Sequence, residues 1–218
     1  GYKVSFAKKD AIVRTEVDIF GKEGNRLFEA EITYRLFFYG KMEVICRLKP
    51  ADKKGTLARI GWRLVMGTAY DNIRYFGKGT ETYPDRNEGG RVGLHNLSSS
   101  EMFYPYARPQ ETGTRMEVRW AIVYDKYLNS LMIHSERPFM VSLSPYEDSV
   151  VERASRLDEL TDTGANTLHI DYRHAGIGGA ASGVGTDERF LIRPEEEYFK
   201  FIFIPFTGSD NVEISALL

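Results

Sequence analysis

The first part of the chain alternates apolar and polar side chains, residue by residue. The alternation runs through residues 13–19 and again through residues 28–36, and a glycine-containing charged loop at 21–25 separates the two stretches. A period of two places one face of a strand against a core and the other in water, and such a loop is typical of a hairpin. We therefore predict two antiparallel strands joined by a turn.

Shorter stretches of the same kind predict further strands. They lie at residues 42–48, 58–65, 116–124, 130–134, 138–143, 167–172 and 198–204. Between residues 67 and 113 the pattern loosens into Gly, Pro, Asn, Asp and Ser mixed with aromatics, which favours ordered loops and short strands. Loops of that length are often functional.

Only one stretch predicts a helix. Ser144 is a candidate N-cap, Pro145 follows at the first helical position, and Glu147 completes a capping box. Apolar residues on one helical face follow through Leu157. Many antiparallel strands, one short helix near Ser144 and no alternating strand–helix units predict an all-β sandwich.

Composition narrows the class of protein. The chain has 218 residues, 42% of them hydrophobic and 28% charged, which is typical of one globular domain spanning residues 1–218. A formal net charge of -2 lacks the basic surplus that nucleic-acid binding requires, so no nucleic-acid partner is expected. No apolar run approaches the roughly 20 residues of a membrane-spanning helix, so no membrane partner is expected either. The single cysteine, Cys46, excludes an internal disulfide.

Several motifs occur in an order that resembles the C-terminal, or small-chain, domain of family 2 β-galactosidases. They are ARIG at 58–61, YFGKGTETYPDR at 75–86, PQETGTR at 109–115, VRW at 118–120 and LHIDYRHAGIGG at 168–179. The family's usual opening stretch of Trp, Arg, Pro and Asp-Asn-Asp is absent. The resemblance therefore implies a domain shortened at its N-terminus.

The resemblance also implies a fold and a function. The fold is the antiparallel supersandwich that galactose mutarotases share. The function is to shape the sugar site of a retaining β-galactosidase acting on lactose-like β-galactosides, and to stabilise that enzyme. Its two catalytic glutamates belong to an upstream barrel domain, so this domain is expected to hold no catalytic residue and to be inactive alone. Upstream domains are the implied partners and the parent enzyme is an implied homo-oligomer. No cofactor is expected here, because the Mg and the Na or K of the parent enzymes belong upstream.

Polar side chains and glycines within the aromatic loops are the candidates for contact with the sugar. They are Tyr83, Arg86, Glu111, Arg115, Arg119, His174, Gly178, Gly179, Ser182 and Gly183. Charged residues among aromatics in ordered loops either bind a ligand or pair with one another, and both interpretations stay open. Residues 180–183 are Ala, Ala, Ser and Gly where many family members have two acidic residues, Ser and a sugar-facing Trp, so we expect weak galactose binding.

Two other functions fit the same residues. In a mutarotase-like enzyme, His174 would be the acid and Glu111 the base. In a pure interaction module, the aromatic loops would pack against sister domains. The four histidines lack the close spacing of a zinc motif, so no metal site is expected. The loops at 75–91, 104–119 and 174–185 are expected to converge on one face.

Overall fold

Antiparallel strands dominate the computed structural model, which describes residues 1–6, 10–179 and 185–208. Within these residues the strands are β1 (Tyr2–Phe6), β2 (Asp10–Phe20), β3 (Arg26–Phe37), β4 (Met42–Pro50), β5 (Arg59–Gly67), β6 (Asn72–Lys78), β7 (Val92–Ser98), β8 (Arg115–Tyr124), β9 (Asn129–Ser144), β10 (Ala165–His174) and β11 (Glu197–Thr207). All their pairings are antiparallel. The all-β prediction is confirmed.

The first predicted hairpin is present, with the expected register. β2 pairs with β3 so that Val17 lies opposite Ala30 and Ile19 opposite Phe28. Ala30 and Phe28 are buried, whereas Glu29 between them is exposed. The alternation in the sequence therefore reports which face of the sheet meets the core.

β9 organises the sandwich because one of its edges is shared by two strands. Its first half pairs with β11 and its second half with β10, while β8 runs along the other edge. β10 in turn pairs with β5, and β11 continues through β4, β3 and β2 to β1. Tyr172 of β10 stacks on Phe199 of β11 with ring centroids 5.0 Å apart, although these strands are not paired. The sheet therefore divides at β9 into parts that face each other across the core.

The helix prediction is only partly right, since the described residues contain two short helices, α1 (Ser99–Met102) and α2 (Asp148–Arg153). Two turns of 3-10 helix occur at Leu157–Glu159 and Glu188–Phe190. The predicted capping box at Ser144 is wrong, because Ser144 is the last residue of β9, where it pairs with Thr167. The capping box lies instead at Ser98 and Glu101, where each side chain accepts from the other's backbone N–H. None of the described helices could cross a membrane.

The inner apolar face of the sheet extends beyond the part that the core covers. On β1, Tyr2, Val4 and Phe6 point to the same side as the buried Ala30, because Val4 lies opposite Val13 on β2. Tyr2 is 80% exposed and Phe6 83% exposed. Ile19 on β2 is also exposed. The β1–β2 end of the sandwich therefore presents an uncovered apolar surface, which we call the open face.

Candidate functional site

An arginine that was not among the sequence candidates lies at the centre of the site. Arg59 is the first residue of β5, and strand pairing places it opposite His174, the last residue of β10. Its Nη2 donates to the Glu111 carboxylate and lies 3.0 Å from His174 Nε2. Its Nη1 lies 3.5 Å from Asp171 Oδ2. One guanidinium therefore connects two carboxylates and a histidine, which we call the Arg59 cluster.

Glu111 is held as a carboxylate. Besides Arg59, it accepts hydrogen bonds from the Tyr83 hydroxyl and from Thr114 Oγ1, each at 3.2 Å. Burial raises the pKa of the Glu111 carboxyl. The hydrogen bond with His174 and the charge of Arg59 lower it by more, so the net pKa lies below its usual value. Glu111 is therefore ionised at neutral pH, with its oxygens already engaged.

His174 has both ring nitrogens occupied. Its Nδ1 lies 2.6 Å from the carbonyl oxygen of Ala175. A carbonyl can only accept, so Nδ1 carries a hydrogen, while Nε2 faces the Arg59 guanidinium at 3.0 Å and Glu111 Oε1 at 3.7 Å. Tyr83 packs edge-on against the ring with centroids 5.2 Å apart, and burial raises the pKa of the Tyr83 hydroxyl well above its usual value. Tyr83 is therefore a neutral hydrogen-bond donor to Glu111, and its ring packs against His174.

Asp171, the second carboxylate of the Arg59 cluster, is fully buried in β10. Burial raises the pKa of its carboxyl, and the positive charge of Arg59 opposes that rise. Gly61 pairs with Asp171 across the strands, and a Cβ at Gly61 would come within 2.3 Å of the Ile170 carbonyl and 2.9 Å of Asp171 Oδ1. Only a glycine at this point of β5 leaves room for the buried carboxylate.

The YPDR segment holds the start of the glycine loop. Asp85 accepts from the backbone N–H groups of Ile177 and Gly178 at 3.1 and 2.7 Å. Arg86 donates to the carbonyl of the same Gly178, which has a positive φ of 62°. A Cβ at Gly176 would lie 2.7 Å from Asp85 Cγ. The predicted proximity of Arg86 and Gly178 is present, and its visible role is to fix the loop.

Glu81 ties a third loop to the same region. Its carboxylate accepts from the Tyr106 hydroxyl at 2.9 Å, from Thr112 Oγ1 at 2.6 Å and from the Gly113 backbone N–H at 2.7 Å. The neighbouring Thr82 N–H donates to the carbonyl of Thr114. In the described residues the three predicted loops therefore converge, as the sequence led us to expect.

The remaining candidates lie apart from the cluster or contribute to its support. Arg115 is buried and donates to the Gly113 carbonyl at 3.0 Å. Arg119 is exposed, with its guanidinium 5.8 Å from the centroid of Phe76 and apart from the Arg59 cluster. Gly179 directly follows the clamped Gly178. Ser182 and Gly183 fall outside the described residues. Among the described residues, no three His, Cys, Asp or Glu side chains group as a metal site.

The sequence alone did not identify four residues of the site as candidates. All four belong to motifs quoted above; they are Arg59, Asp171, Glu81 and Asp85. The available signal for Arg59 and Asp171 was a charged residue inside an otherwise strand-like motif, which is unusual in a buried strand. Nothing local distinguishes Glu81 from an ordinary exposed glutamate.

Comparisons with known proteins identify relatives of this chain that are named β-galactosidases. In curated relatives, a β-galactosidase of Priestia megaterium is 30% identical over 156 residues, covering 71% of this chain and 15% of that protein. A β-galactosidase of Lactobacillus delbrueckii subsp. bulgaricus is 32% identical over 167 residues, covering 75% of this chain and 16% of that protein. The chain thus spans about one sixth of the length of these relatives.

A solved structure supports the fold. The galactose 1-epimerase of Lactobacillus acidophilus NCFM superposes with a TM-score of 0.55 at 9% identity, covering 95% of this chain and 66% of that one. The predicted mutarotase-like sandwich is therefore confirmed as a fold. The family described as beta galactosidase small chain matches residues 2–204. This chain belongs to the beta-galactosidase small-chain family.

Proposed function

We propose that this chain is the small-chain part of a β-galactosidase, a retaining glycoside hydrolase that acts on terminal, lactose-like β-galactosides. In this proposal the chain shapes the sugar site and stabilises the enzyme, and the catalytic glutamates belong to the rest of the enzyme. Support comes from the family and from relatives that are named β-galactosidases but are about six times longer than their matching regions.

The observation that best supports a non-catalytic role is the state of the two carboxylates in the Arg59 cluster. A retaining glycosidase needs one carboxylate free to attack and one carboxylic acid free to donate a proton, about 5 to 5.5 Å apart. Glu111 already accepts from Arg59, Tyr83 and Thr114. Asp171 is fully buried. Neither group is disposed to act on a glycosidic bond, so we propose that the Arg59 cluster braces the loops.

The proposed partners are the remaining domains of the enzyme, which we expect to assemble as a homo-oligomer. The open face at β1 and β2 is the surface we assign to them, because exposed apolar side chains in such numbers are typical of a docking surface. We propose no cofactor for this domain, and any Mg, Na or K site would belong to the rest of the enzyme.

The mutarotase alternative has less support. His174 Nε2 and Glu111 Oε1 lie 3.7 Å apart. Both are directed at Arg59 and at each other, whereas an acid–base pair must reach the ring oxygen and the anomeric hydroxyl of a sugar. The likeness to the galactose 1-epimerase concerns the fold alone.

The experiment that tests the proposal uses the purified 218-residue chain. We expect no hydrolysis of a chromogenic β-galactoside and no acceleration of α-galactose mutarotation. We expect saturation-transfer NMR to detect millimolar binding of methyl β-galactoside, weaker for methyl β-glucoside. Hydrolysis that disappears in Glu111→Gln would contradict the absence of catalysis. Absence of any sugar binding would instead favour a pure interaction module.

A further inference from the structure

We infer that Tyr104 provides the apolar ring on which the galactoside stacks, an inference that rests on the proposed sugar-shaping function. Tyr83, the tyrosine expected at the sugar, is 1% exposed, whereas Tyr104 is 58% exposed. Tyr104 belongs to the loop that Glu81 ties to the site. Its ring is therefore open to a ligand beside the converged loops.

Tyr104 is held in place by hydrogen bonds around it. Its backbone N–H donates to Thr112 Oγ1 at 3.0 Å, and Thr112 in turn donates to Glu81. Its ring centroid lies 4.6 Å from that of Tyr106, whose hydroxyl donates to Glu81 at 2.9 Å. An exposed ring that is already ordered loses little entropy when a ligand binds.

The surroundings of Tyr104 suit a pyranose. A sugar ring offers C–H groups to an aromatic face and hydroxyls to charged groups at its edge. Glu81 accepts from the hydroxyl of Tyr106, whose ring packs beside Tyr104. Burial raises the pKa of the Tyr106 hydroxyl and the positive charge of the exposed Arg86 opposes that rise, so a cationic group lies near the pair. The glycine loop itself has no aromatic residue between positions 175 and 189. We therefore place the aromatic face for the sugar on the neighbouring loop, at Tyr104.

Tyrosine variants of the whole chain test this inference, with methyl β-galactoside as the probe and NMR titration as the measurement. Tyr104→Ala is expected to weaken binding about fivefold, and Tyr104→Phe to retain it, because stacking uses the ring and not the hydroxyl. Tyr127→Ala is the matched control. Tyr127 is 70% exposed and follows the far end of the ten-residue β8, about 30 Å along that strand. Its loss should leave binding unchanged.

The outcomes separate the two levels of the proposal. Equal affinities of wild type and Tyr104→Ala would overturn the role of Tyr104 and leave the sugar-shaping function standing. An equal loss in Tyr104→Ala and Tyr127→Ala would also overturn it, because it would locate no sugar at this loop. A wild type that binds no galactoside would overturn both. Thermal unfolding of each variant checks that the fold is intact, and Tyr104→Phe covers the case in which the alanine variant is unstable.

Discussion

Arg59 determines the chemistry of the site because a single guanidinium neutralises two carboxylates in a poorly solvated position. Its two terminal nitrogens are directed at different acids, Glu111 and the fully buried Asp171. A buried carboxylate without a counter-charge is costly, so the arginine is required once Asp171 is present. The side chains of this cluster thus depend on one another for their stability.

Replacing Arg59 should therefore destabilise the fold. Arg59→Met keeps most of the side-chain volume but leaves Asp171 without its counter-charge, and we expect a loss of about 3 to 5 kcal/mol in the free energy of unfolding. Urea denaturation measures it. Arg63→Met is the matched control, because Arg63 sits on the same strand in an exposed pair with Asp148, worth less than about 1 kcal/mol. Equal effects of the two variants would contradict the prediction.

The lowered pKa of Glu111 predicts an acid-sensitive stability. Because the folded-state pKa lies below that of the unfolded chain, the unfolded chain binds more protons as the pH falls. The contribution of Glu111 is therefore fully present above the unfolded pKa of about 4.3 and is lost as the pH falls through the lower, folded value.

Urea midpoints between pH 7 and pH 3 measure this effect. Glu111→Gln should be less stable than wild type at pH 7, with a difference that narrows toward pH 3. The raised pKa of Asp171 acts in the opposite direction, favouring the folded state when that carboxyl is protonated, and burial, the largest cause of that rise, is common to both proteins. Glu23→Gln in the exposed first hairpin turn should follow wild type throughout. A difference that stays constant with pH would be inconsistent with an ionised Glu111.

At the residue scale the sequence placed Tyr83, Glu111 and His174 together correctly, through motifs in recognisable order. It could not place Arg59, because its contact with His174 depends on the register between β5 and β10. Arg119, a candidate through its place in the VRW motif, lies on the exposed face of β8 with its guanidinium near Phe76. A motif alone does not tell which of its charged side chains faces the cluster.

At the scale of elements, the alternation of apolar and polar residues predicted the long strands correctly. The capping rule failed at Ser144 because that residue pairs with Thr167 at the end of β9 and so belongs to a strand. The region from residue 67 to 113, where loops and short strands were expected, contains the seven-residue strands β6 and β7. Gly77 and Gly93, which suggested loops, lie opposite each other in these strands. A Cβ at Gly77 would come within 2.8 Å of Val118 Cγ2, so close strand packing is what requires the glycine.

The glycine in β5 allows a direct test of this kind of packing. Gly61→Ala should destabilise the fold by about 2 kcal/mol or more, because the added methyl meets the Ile170 backbone and Asp171 in a closed space. Gly67→Ala is the matched control on the same strand, where a Cβ would meet nothing within 4 Å. Thermal melting of both variants gives the comparison. Similar melting temperatures for the two would refute the close contact.

At the scale of the whole molecule, the open face predicts how the chain behaves without a partner. β1 is an edge strand whose exposed Val4 continues the inner apolar face. We expect concentration-dependent self-association in sedimentation velocity, reduced by Val4→Lys. Val65→Lys is the control, since Val65 is similarly exposed but lies on β5, away from the open face. Identical sedimentation of wild type and Val4→Lys would argue against this surface.

The shared edge of β9 has a consequence for how the molecule comes apart. Its sixteen residues supply hydrogen bonds to β11 at one end and to β10 at the other, and β8 pairs along both halves. Neither the part of the sheet that contains β10 nor the part that contains β11 can detach without disturbing β9, with which both are paired. Unfolding should therefore be all-or-none across the sandwich, and β9 amides should exchange with solvent only when the whole chain opens. The two parts of the sheet should therefore be lost in the same unfolding step.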